Sequence, residues 1–241
     1  LKKKKIRLLT SVKAKAAVVT NGGVKVTLED GRELEAQRLL VSIGRAFNTE
    51  GLGLEELGVN KGPRGEIVVN KKMQTNVDGI YAVGDVTGGL LLAHVASKEG
   101  IVAAYNACGI EKEIDYSVVP AVIFTSPEIG SVGLREQQCR EKGIAVKTGS
   151  FHFRGLGKAH AMGEIAGMVK VIADATTDKV LGVHIIGPHA SDLVHEGALA
   201  IQAGLTSKQL GDMIHAHPTL SEAIMEAAED VHGEAIHRLK A

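Results

Sequence analysis

The chain has 241 residues, 44% of them apolar and 23% charged, with 28 basic side chains against 28 acidic ones. That balance belongs to a globular protein of one large or two smaller domains. A formal net charge of zero argues against nucleic acid or an anionic membrane as main partner, and no apolar run approaches the ~20 residues of a membrane span.

The opening at Leu1, without Met, is what a piece of a longer chain would show, and Lys2-Lys3-Lys4-Lys5 reads as the solvated edge of a following strand. Ile6, Leu8, Val12, Val18, Val24, Val26 and Leu28 then alternate in the period of two that marks strands. Asn21-Gly22-Gly23 and Asp30-Gly31 are hairpin turns. Leu39-Leu40-Val41-Ser42-Ile43, stopped by Gly44, predicts a strand buried on both faces, as in a parallel sheet. Helix-and-turn signals fill 47–65. Short strands are predicted at Glu66–Val69 and Ile80–Val83, the second ending in Gly84-Asp85.

Small, helix-compatible residues run from Ala93 to Ala107, with Gly109 as C-cap. A polar linker over 109–118 marks a domain boundary. Beyond it, 121–124, 130–133, 167–172 and 180–186 read as strands, and Asp192–Ala203 as an amphipathic helix. Thr206-x-x-Gln209 is a capping box, and Leu220, Ile224, Ala227 and Val231 stripe one face of a last helix. Strands in series followed by helices predict an α+β domain, an antiparallel sheet with helices on one face.

Cys108 and Cys139 form no Cys-x-x-Cys pair, so both read as structural, and so few thiols fit a reducing compartment. The histidines show no repeated metal-ligand spacing, so no metal is expected.

Three segments carry chemistry. In His217-Pro218-Thr219-Leu220-Ser221-Glu222, proline holds the histidine outside helix geometry, and Glu222 is within reach of its ring. A carboxylate on one imidazole nitrogen raises the basicity of the other, which makes a general base. The same spacing, Thr219-x-x-Glu222, is also a capping box, and both readings stand together. In the second segment, Thr75–Asp85, a turn and a strand end in Gly84-Asp85, where glycine admits close backbone approach and Asp85 can bond a hydroxyl. Gly-Asp taken by itself is also an ordinary turn. The third is Val41-Ser42-Ile43-Gly44-Arg45.

Taken together, these residues resemble the dihydrolipoamide dehydrogenases, members of the flavin-dependent disulfide oxidoreductases. His215-Ala216-His217-Pro218-Thr219-Leu220-Ser221-Glu222 is similar to their active-site signature, whereas glutathione reductases share only its His-Pro-Thr core. The resemblance implies that His217 exchanges protons with thiols and that Glu222 orients it. It implies that Gly84 and Asp85 contact FAD, Asp85 through the ribitol, and that Leu91-Leu92-Ala93-His94 is the helix entrance facing the flavin ring. Gly44 would approach NAD on its nicotinamide side, and Val12 would lie at its adenosine end.

On that resemblance, residues 1–43 are a remnant of the NAD-binding domain, 44–118 the C-terminal part of the FAD-binding domain, and 119–241 the interface domain of a homodimer. The implied partners are a 2-oxoacid dehydrogenase complex or the glycine cleavage lipoyl protein. The implied location is the bacterial cytoplasm or, in a eukaryote, the mitochondrial matrix. Neither Gly-rich dinucleotide loop nor a Cys-x-x-x-x-Cys pair occurs in the 241 residues, so the chain by itself is expected to be inactive. A glutathione-reductase-like enzyme and a non-catalytic dimerisation module are the alternatives.

Overall fold

A computed structural model describes residues 5–238. Leu1 and the lysines at positions 2–4 lie outside the described residues. The chain divides into two compact units, Leu1–Ala46 and Phe47–Ala241.

The first unit is an antiparallel meander, β1 (Ala14–Thr20), β2 (Gly23–Leu28) and β3 (Glu33–Ala36). Both predicted turns form. Thr20 pairs with Gly23 across the first, and Gly31 sits at φ +85° in the second. A side chain at Gly23 would meet the carbonyl oxygen of Ala36 at 2.4 Å, so β2 and β3 close there only with glycine. Every residue of β1 is exposed, and Leu28 is the buried apolar residue of β2.

Two expectations fail in this unit. Ile6, Leu8 and Val12 precede the first strand instead of lying in one. Leu39–Ile43 forms no strand, and Leu40 and Ile43 are 89% and 93% exposed. A buried parallel strand needs ladder partners on its edges and helices on its faces. The described residues provide neither.

In the second unit, residues 47–92 make turns around a small core of Leu54, Val59, Ile67 and Ala82. Glu66–Val69 and Ile80–Val83 are not strands. Each contributes one isolated bridge, Lys61 with Ile67 and Gln74 with Tyr81. Turn hydrogen bonds occupy the groups a ladder would use, such as Thr75 N–H to Ile80 O at 2.9 Å and Ala82 N–H to Met73 O at 3.1 Å.

Helix α1 (Ala93–Ala107) forms as predicted, and Gly109 leaves it at φ +77°. Its buried face is Val95, Glu99 and Val102, a stripe at helical spacing. The polar segment that follows is fastened to the helix. Asn106 Nδ2 donates to Lys112 O at 2.7 Å, and Ile114 is buried with its N–H on Lys71 O.

The remaining elements are β4 (Ala121–Ile123), β5 (Glu128–Gly133), α2 (Glu136–Glu141), β6 (Val146–His152), α3 (Gly157–Met162), β7 (Met168–Asp174), β8 (Val180–Gly187), α4 (Ala190–Gln202), α5 (Ser207–Gly211) and α6 (Glu222–Asp230). The strands make one antiparallel sheet in the order β4-β5-β8-β7-β6. Val169, Val171 and Ala173 of β7 with Val183 and Ile185 of β8 share a core with Val194 of α4 and Ile224 and Ala227 of α6. The expected α+β architecture is therefore observed.

Two helices approach the sheet at backbone distance. A Cβ at Gly130 would stand 2.4 Å from Ala190 O, and one at Gly149 would stand 2.1 Å from Ala227 O. Among the described residues no helix is long and apolar enough to cross a membrane.

Candidate functional site

The loop between α5 and α6 carries the His-x-His-Pro segment, and its His217-Pro218 peptide is cis. The last helix anchors the loop. Leu220, Ile224, Ala227 and Val231 are all buried against the sheet, so the first turn of α6 has a fixed place.

Glu222 opens that helix with its side chain 16% exposed, and it divides its two oxygens. Oε2 accepts the Thr219 N–H at 2.8 Å, and Oε1 accepts from His217 Nδ1 at 2.8 Å. Half of the anticipated capping box is therefore present. The other half is missing, because the Thr219 hydroxyl donates to Ala216 O at 2.7 Å and the backbone N-cap is Ser221.

The carboxylate can only accept, so the His217 proton sits on Nδ1 and Nε2 presents its lone pair. The ring is 75% exposed, and its Nε2 has no hydrogen-bond partner among the described residues. Met213 and Ile214 of the same loop are exposed too, Ile214 at 97%. A basic nitrogen backed by a held carboxylate and flanked by open apolar surface is equipped to take a proton.

Burial pushes Glu222 upward, but the Thr219 N–H and then His217 outweigh it, so its carboxyl titrates below the usual range. A depressed carboxylate stabilises the fold above its unfolded value of about 4.3, and that contribution is lost as pH falls through the lower folded value. The difference in melting temperature between the native chain and Glu222→Gln is therefore expected to be full above about pH 5 and to shrink toward pH 3. A difference that is flat across that range would detach Glu222 from the loop's stability.

The structure gives His215 a partner that its sequence surroundings do not show. Its side chain is 3% exposed, with Nε2 2.7 Å from Glu196 Oε1 on α4 and Nδ1 2.8 Å from Met213 O. Glu196 carried no local signal.

The second cluster surrounds Gly84-Asp85. Gly84 has φ +79° and begins a short 3-10 turn, Gly84–Thr87, in which the Thr87 hydroxyl donates to Gly84 O at 2.9 Å. Asp85 is partly buried. Glu99, 3% exposed in the face of α1, accepts the Gly84 N–H at 2.7 Å and the Tyr116 hydroxyl at 2.6 Å. Burial, with the Glu99 carboxylate second, drives the Tyr116 phenol well above its ordinary value. Glu99 and Tyr116 escaped the sequence reading because nothing local distinguishes a buried helical glutamate from an exposed one.

Leu91 and Leu92 lead into α1 as predicted, with Leu92 the N-cap and Ala93 its first residue. No side chain caps that end, and its first turn holds no acidic residue. The leading N–H groups are left available to an acceptor. His94 Nε2 donates to Pro120 O at 2.9 Å, which ties α1 to the start of the sheet domain.

Val12 and Gly44 belong to the first unit. Val12 is half-buried ahead of β1, and Gly44 is exposed at φ +137° with open space beside it. Cys108 is exposed and Cys139 buried, and both are free thiols.

Comparison with known proteins places these features in context. Residues 1–100 match the pyridine nucleotide-disulphide oxidoreductase domain and 119–228 the dimerisation domain of the same family. The chain is 45% identical to a dihydrolipoyl dehydrogenase of Thermus scotoductus, over 99% of this chain and 53% of that protein. It is 42% identical to the mitochondrial dihydrolipoyl dehydrogenase 2 of Arabidopsis thaliana, over 98% of this chain and 48% of that one. The crystal structure of LpdA from Mycobacterium tuberculosis superimposes with a TM-score of 0.86 at 35% identity, covering 95% of this chain and 50% of that one. The chain thus spans about half the length of the relatives it matches.

Proposed function

The chain belongs to the pyridine nucleotide-disulphide oxidoreductase family, and from that premise we propose that it is the part of a dihydrolipoamide dehydrogenase that supplies the acid/base. The observation that carries this reading is the His217–Glu222 pair, 2.8 Å between Nδ1 and Oε1 with the opposite ring nitrogen open.

In this reading His217 Nε2 takes the proton of a dihydrolipoamide thiol and leaves a thiolate, the reactive form of sulfur. The imidazolium that forms keeps its Nδ1–H on Glu222, whose carboxylate is ionised at neutral pH. The disulfide that the thiolate attacks comes from outside residues 1–241, since Cys108 and Cys139 are free and form no Cys-x-x-x-x-Cys pair.

The residues around Gly84 suit FAD. A glycine turn at positive φ sets Asp85 at the start of the 3-10 turn, and the uncapped start of α1 offers N–H groups to an electron-rich ring edge. When bound, FAD would supply the two-electron redox chemistry that links thiol oxidation to NAD+ reduction. Gly84, Asp85 and the segment Leu91–His94 would hold the flavin, and Gly44 and Val12 would lie along NAD. In this reading 1–43 belongs to the NAD-binding domain, 44–118 to the FAD-binding domain and 119–241 to the interface through which two copies pair. Its partners are lipoyl-bearing proteins of a 2-oxoacid dehydrogenase complex or the glycine cleavage system. Its compartment is the bacterial cytoplasm or the mitochondrial matrix.

The test joins residues 1–241 to the N-terminal half of the Thermus scotoductus enzyme. The fused protein is expected to reduce NAD+ with dihydrolipoamide and to ignore glutathione disulfide, while the 241-residue chain by itself turns over neither. Preference for glutathione disulfide would replace the lipoamide reading with a glutathione-reductase-like one. A folded, flavin-loaded fusion inactive with both would make the chain a dimerisation module only.

A further inference from the structure

His215 has a geometry that its neighbour His217 lacks. Both of its ring nitrogens face atoms that can only accept: the Met213 carbonyl at 2.8 Å from Nδ1 and the Glu196 carboxylate at 2.7 Å from Nε2. A neutral imidazole carries one N–H and cannot donate to both. The ring is also removed from water, with its side chain 3% exposed. We propose that His215 is a buried imidazolium that pins the base-bearing loop to α4 through Glu196. This rests on His217 being the acid/base.

The groups that reach His215 are Glu196 and Glu222, and His237 reaches Glu222. The Glu196 hydrogen bond holds His215 above its ordinary value against the opposing effect of burial, with Met213 O and the charge of Glu222 adding to it.

Ile214, the residue before His215, is 97% exposed, so apolar burial does not hold this stretch of the loop. The His215–Glu196 bond is its attachment to α4. His215 is thus a positioning residue, acting through the group that meets the substrate.

The experiment follows the histidine ring nitrogens of the 241-residue chain by nuclear magnetic resonance, without flavin or substrate. It is therefore independent of whether the dihydrolipoamide assay succeeds. His215 is expected to keep both ring protons at pH 8, where a histidine with an ordinary value near 6.5 is neutral. Glu196→Gln should bring its titration down by about one pH unit or more. A neutral His215 at pH 8 in the native chain overturns the proposal and requires no variant to fold. A His215 titration that does not fall in folded Glu196→Gln overturns the pinning by Glu196.

Discussion

In the fused enzyme, His217→Gln is expected to lower turnover of dihydrolipoamide by about 10²–10⁴-fold, the range over which a positioned general base contributes. The substitution removes the open Nε2, while the ring it replaces is 75% exposed and buries little. Stability should therefore fall by no more than about 1.5 kcal/mol, the usual net worth of a hydrogen bond such as the one lost to Glu222. Turnover under saturating substrate and a denaturant titration separate the two effects. An enzyme that keeps more than about a tenth of its rate would mean that the proton goes elsewhere, since a base is worth at least tenfold more than that.

The largest stability effect belongs to a residue with no side chain. Gly149 lies in β6 directly beneath α6, and an added Cβ would meet Ala227 O at 2.1 Å and Val231 N at 2.4 Å. Both are backbone atoms, so neither can rotate away. Moving the helix would disturb Ile224 and Ala227, each fully buried in the shared core. Gly149→Ala is expected to cost about 3 kcal/mol, the upper part of the usual range for overpacking. Gly157→Ala, at a position with open space around it, serves as the control and should change the denaturant midpoint little. Equal midpoints for the two variants would show that α6 is not seated on β6 as described. Because α6 begins at Glu222, the Gly149 variant should also loosen the His217 loop.

Features of the fold were readable where their causes were local. Asn21-Gly22-Gly23 turns because glycine tolerates positive φ, and Leu220, Ile224, Ala227 and Val231 recur at helical spacing wherever the chain goes. Thr206 and Gln209 form their capping box from four consecutive residues, with Thr206 Oγ1 taking the Gln209 N–H at 3.0 Å. Strand β6 was overlooked because Lys147, Thr148, Gly149 and Ser150 give no apolar alternation. It is a strand through pairing with β7 and packing under α6. Leu39–Ile43 misled for the opposite reason, being apolar enough for a core strand yet without neighbours among the described residues.

The candidate site divides in the same way. His217 and Glu222 lie five residues apart and were visible together. Glu196 reaches His215 from 19 residues away, and Glu99 reaches Gly84 from 15, distances at which only the tertiary fold makes partners.

The division of Glu222's two oxygens has a consequence for anyone altering the residue. Glu222→Gln leaves one oxygen where two are in use. The Thr219 N–H needs an acceptor, so it claims that oxygen, and the new amide nitrogen turns toward His217 Nδ1. A donor now faces a donor, and the imidazole relieves the conflict by switching tautomer. The hydrogen moves to Nε2, the atom that has to be empty for a thiol to give up its proton. A substitution that preserves size and shape, and keeps the turn into α6, thus disarms the histidine by reversing which end of the ring can accept.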